Sequence, residues 1–101
     1  MNQSTVRFAF DASVPMTEVE ATLRLALLAV ESLHGEDRVR LEARVNVDRA
    51  ARACVIESAS DVGRALALVF GGYIRREFGE AAVNLTHEPA SIGSVQPGAG
   101  T

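Results

Sequence analysis

The sequence predicts an α+β domain built on an antiparallel sheet, and three observations predict it. Apolar residues alternate at period two in four short stretches; they recur at three- and four-residue spacing in two longer ones; and the order is strand, helix, strand, strand, helix, strand. Two right-handed strand–helix–strand units interleaved as a split pair then give a four-stranded antiparallel sheet with two helices on one face. This is the ferredoxin-like βαββαβ arrangement, in which the inward residues of every strand and both helix stripes share one core.

Residues 5–11 open the chain as a half-buried strand, with Val6, Phe8 and Phe10 on one side and Arg7, Ala9 and Asp11 on the other. A turn over 12–16 contains Pro15. Thr17 followed by Glu20 reads as a capping box, the threonine oxygen accepting from an early helical N–H while the glutamate reaches back. The first helix should bury Val19, Leu23, Ala26, Leu27, Val30 and Leu33 and end at Gly35.

Alternation resumes over 38–48, placing Val39, Leu41, Ala43, Val45 and Val47 inward and Arg38, Arg40, Glu42, Arg44 and Asn46 on a wet face. A short polar turn over 48–52 leads to an antiparallel partner over 53–58. Ser58 or Ser60 can cap the second helix, with Asp61 in its first turn, where a carboxylate suits the helix dipole. Its stripe is Val62, Leu66, Val69, Phe70, Tyr73 and Ile74 with Phe78 beside it, and Gly79 closes it. Gly71 and Gly72 inside this helix cost roughly 1–2 kcal/mol together relative to alanines, so they mark either a close approach of other atoms or a kink. Residues 81–88 form the last strand. Residues 1–88 are thus expected as a single domain, followed by a disordered tail over 89–101 rich in glycine, serine and proline.

Size and composition limit the function. With 101 residues, 48% apolar and 23% charged, the chain matches one globular domain that needs no disulfide or metal staple. The strongly apolar run over 25–30 is far short of the ~20 residues of a membrane span, and the N-terminus lacks the regions of a signal peptide, so no membrane association and a cytoplasmic location are expected. One cysteine, Cys54, forms neither an internal disulfide nor a thiolate metal site. A net charge of −3 argues against general nucleic-acid binding, which rests on clustered positive charge. The ten basic residues are all arginine, a bias that GC-rich codon usage explains.

No residue pair suggests catalysis, and no cofactor is expected. The aromatics of the first strand point toward the helices rather than to an open face for base stacking. The turn over 11–15 has no glycine to let a ligand approach its backbone, and no glycine-rich anion loop is present. Two surfaces stand out. Arg38, Arg40, Arg44, Arg49 and Arg52 fall within fifteen residues and could meet an anion or an acidic partner, or be a solvated face guarded against edge pairing. Ala21, Leu25 and Leu28 fall at 200°, 240° and 180° on a helical wheel with Val19 at zero, opposite the core stripe.

The leading expectation is therefore a small non-catalytic interaction or regulatory module that works as a homo-oligomer or bound to a larger protein. The alternative is a small-ligand sensor with its site at the first strand–helix turn or between subunits. An enzyme with an intersubunit site stands third.

Overall fold

A computed structural model describes residues 4–89 of the chain. The first strand, β1 (Ser4–Phe10), buries Val6, Phe8 and Phe10 on one side, as its alternation requires. It leads through the turn holding Val14 and Pro15 into α1 (Met16–His34). A short helix, α2 (Glu36–Glu42), follows at once, and then β2 (Val45–Asp48), β3 (Ala53–Glu57), α3 (Asp61–Phe78), a single 3-10 turn (Glu80–Ala82) and β4 (Val83–Pro89). The four strands form an antiparallel sheet in the order β2-β3-β1-β4, so β1 and β3 are central and β2 and β4 are edges.

The sheet and helices meet in one core. Phe8 lies opposite Cys54 of β3 and Leu85 of β4 in the strand register. Its ring meets that of Phe70 from α3 edge-on at 4.9 Å between centroids, and Phe10 meets the same ring at 6.5 Å, the perpendicular geometry that aromatic quadrupoles favour. Val19, Ala26 and Val30 of α1 and Val62, Leu66 and Ile74 of α3 complete the interior. The buried Thr22 hydroxyl donates to Glu77 at 2.8 Å, a polar bond that joins the two long helices.

Three sequence expectations need correction. The stretch over 38–48 is not one strand: its first half is α2, and only Val45–Asp48 pairs with β3. The alternation of valine, leucine and alanine there is outweighed by a helical set of charges. Glu36 pairs with Arg40 and Arg38 with Glu42, each four residues apart, at 2.7 and 3.1 Å. Gly35, at φ +92°, ends α1 and starts α2, a backbone angle that residues with a Cβ rarely take. As a consequence Val39 is buried, while Leu41 is 72% exposed instead of facing inward.

The capping box at Thr17 and Glu20 does not form. The helix begins at Met16 behind Pro15, without a side-chain cap, and the Pro15 carbonyl accepts from the N–H groups of Glu18 and Val19. Glu20 instead holds Arg49 of the β2–β3 turn through two bonds of 2.7 Å. Leu33, expected in the core, is exposed, because the chain reverses at Gly35 and α2 supplies the buried residue at this end through Val39.

Elsewhere the expectations hold closely. Ser60 caps α3 by accepting from the Gly63 N–H at 2.9 Å, and Gly79 ends it. The helix runs unbroken through Gly71 and Gly72. A Cβ at Gly71 would make ordinary van der Waals contact with the Phe8 ring at 3.4 Å, whereas one at Gly72 would meet nothing within 4 Å. β4 runs from Val83, since Ala81 and Ala82 of the expected strand lie in the 3-10 turn, to Pro89 opposite Ser4 in register, one residue past the expected end. The tail expected beyond it, 90–101, lies outside the described residues.

Candidate functional site

The helical layer leaves part of the sheet uncovered. α3 is drawn against the sheet at Gly63. A Cβ at Gly63 would lie 2.0 Å from the Glu57 carbonyl oxygen, so only a hydrogen fits between the first turn of α3 and the end of β3. The middle of the helix packs on Phe8 of β1 through Phe70, beside Gly71. Between α3 and the edge strand β4 a cavity of about 510 Å³ remains.

Its apolar floor is Val6 of β1, Ala67 and Leu68 of α3 and Leu85 of β4. Leu68 is 74% exposed and Leu85 36%, although Leu85 stands on the inward side of its strand. The rim is polar. Ser4 and Ser58 hydroxyls lie 3.0 Å apart at one end, with Ala59 beside them, and Arg64, Arg75 and His87 complete the lining. Among the described residues no carboxylate lines this cavity, although the chain as a whole has a net charge of −3. Arg64 is bound to the Asp61 carboxylate and donates to the Ala59 carbonyl at 3.1 Å. Arg75 makes no ion pair among the described residues.

The surface foreseen on α1 lies elsewhere on the helical layer. Leu25 and Leu28 are each 59% exposed and Ala21 is half-buried. Leu25 borders a shallow furrow between α1 and α3 lined also by Thr22, Tyr73, Arg76 and Glu77.

The five arginines do not share one strand face. Arg38 and Arg40 stand on α2 in the ion pairs described above. Arg44 donates to the Leu41 carbonyl at 2.9 Å, and Arg49 holds Glu20. Arg52, at a left-handed φ of 55°, points its guanidinium back to the Asp11 and Val14 carbonyls and so ties the β2–β3 turn to the β1–α1 turn. The turn over 11–15 is occupied by these bonds and by Asp11, which accepts from the Ser13 N–H at 2.9 Å and from its hydroxyl. Those bonds hold the Asp11 carboxyl below its ordinary range. Arg49 does the same for Glu20.

Nothing about Cys54 suggests a nucleophile: it is buried in β3, and burial pushes its thiol up to about 12, far from the thiolate a reaction needs. Among the described residues no group of three or more His, Cys, Asp or Glu is placed to hold a metal ion, and no helix is long and apolar enough to cross a membrane. Compared with known proteins, the chain matches no family model, no curated protein and no solved structure.

The cavity beside β4 escaped sequence reasoning. Its residues come from four separate stretches, and only the order β1-β4 at the sheet edge brings them together. The local trace of it in the sequence is Leu68, a leucine outside the stripe of α3.

Proposed function

We propose that this chain is a small, cytoplasmic, non-catalytic interaction or regulatory module. It works as a homo-oligomer or bound to a larger protein, on a ferredoxin-like arrangement into which one short helix has been inserted. The observation that carries this reading is the pair Leu25 and Leu28 on the outer side of α1, each 59% exposed. Burying a leucine side chain is worth roughly 1.5–3 kcal/mol, so two of them one turn apart give a contact a driving force that polar surface lacks. A second copy supplies a matching patch through a two-fold interface, in which each α1 lies on the other. A contact through Arg38, Arg40, Arg44, Arg49 or Arg52 comes at the expense of the internal bonds those residues already make.

The test is a dilution series followed by amide NMR. Resonances over 21–28 should move with concentration while those of β2 stay fixed. Spectra unchanged from micromolar to millimolar concentration would remove the self-association reading.

A second reading, small-ligand sensing, is favoured by the cavity between α3 and β4, whose volume of about 510 Å³ lies within the ~300–1,000 Å³ range of small-molecule sites. The site in this reading is the cavity rather than the β1–α1 turn.

A further inference from the structure

We propose that the α3–β4 cavity binds an amphipathic organic carboxylate, its apolar body lying on Leu68 and Leu85 and its carboxylate held by Arg75. The proposal rests on the ligand-sensing reading and names the class of ligand. Charge is the first argument. The lining holds two arginines and, among the described residues, no acid, in a chain whose net charge is −3. A cavity of one sign, walled by low-dielectric side chains, concentrates the opposite charge.

The two arginines are not equivalent. Arg64 is committed to the Asp61 carboxylate and the Ala59 carbonyl, whereas Arg75 makes no ion pair among the described residues. One unpaired guanidinium offers one two-pronged contact, which suits a carboxylate. The floor decides the rest of the ligand. Leu68 and Leu85 present apolar surface to water, and a hydrocarbon or aryl body would remove it. A small polar acid would leave that surface wet.

The probe is sodium decanoate, below its micelle concentration, added to the full chain labelled for amide and methyl NMR. Saturable shifts are expected at Leu68, Leu85 and Ser58, with decanol binding more weakly. Arg75→Gln, at an exposed position, should weaken decanoate about tenfold and leave decanol unchanged, since a charge-assisted hydrogen bond is lost. Arg76→Gln, one residue along but facing the other furrow, should leave the affinity within about twofold. Leu68→Glu, on a solvent-facing site, should abolish binding while the protein stays folded.

Decanol binding as tightly as decanoate, or an Arg75→Gln variant with full affinity, overturns the carboxylate assignment and leaves the ligand-sensing reading standing. Shifts confined to Leu25 and Tyr73, or no saturation at all, overturn both. Contacts from residues 90–101 to Leu68 and Leu85 in the free protein overturn the proposal as well, by showing the cavity filled by the chain itself.

Discussion

The two long helices lie on the same sheet and do opposite things with their surroundings. α1 packs through Val19, Leu23, Ala26 and Val30, and it carries the exposed leucines Leu25 and Leu28, the former bordering the furrow toward α3. α3 is notched by Gly63, which brings it against the Glu57 carbonyl, and a cavity remains between it and β4. The exposed leucines of α1 suit a second protein surface. The cavity beside α3 suits a molecule small enough to enter it.

This contrast can be broken by substitution, and the largest effect is expected at Gly63. Gly63→Ala places a Cβ against backbone that has no flexible end to move, so α3 must shift outward, with a loss of about 2–3 kcal/mol in chemical denaturation. A neutral result would show that the notch does not set the seat of α3. Gly72→Ala, on the same helix with open space around it, should instead stabilise the protein by about 0.5–1 kcal/mol, since the helix gains propensity and loses no contact. A destabilised Gly72→Ala protein would mean that both glycines, rather than one face of α3, are used for close packing.

The smallest effect is expected on the α1 side. Glu20→Gln removes the bridge to Arg49, an exposed pair that salt screens. The folded Glu20 carboxyl is held below its ordinary range by Arg49, so the bridge contributes above the unfolded value and the contribution disappears as pH falls through the folded one. The difference between wild type and variant should accordingly be present at neutral pH and vanish in acid. A difference that grows on acidification would contradict the assignment.

Much of the α+β core was legible from periodicity alone. The stripe of α3, its serine cap at Ser60 and the inward side of β1 depend on neighbours in the chain, and local pattern records them. Residues 38–42, the first part of the strand expected over 38–48, are helical, and two patterns overlap there. Val39, Leu41 and Ala43 alternate like a strand, while Glu36 with Arg40 and Arg38 with Glu42 are spaced for a helix, and counting apolar residues alone hides the second pattern. Thr17 and Glu20 had capping-box spacing, but Pro15 starts the helix earlier and the hairpin turn supplies Glu20 with a better partner in Arg49.

The surface on α1 could be drawn on a helical wheel, since it needs only the helix and the side it buries. The cavity could not. It requires β4 to lie beside β1 and α3 to sit close above, and the reason for that closeness, the Glu57 carbonyl facing Gly63, is a tertiary fact with no local signature.

The central claim is that Leu25 and Leu28 make this a module that associates through α1, and light scattering after size exclusion tests it most directly. Wild type at high micromolar concentration should elute as a dimer, and Leu25→Glu with Leu28→Glu should give a folded monomer whose stability changes by less than about 0.5 kcal/mol per site, because both positions face water in the single chain. A wild-type monomer at that concentration, or a double variant that remains a dimer, would contradict the account.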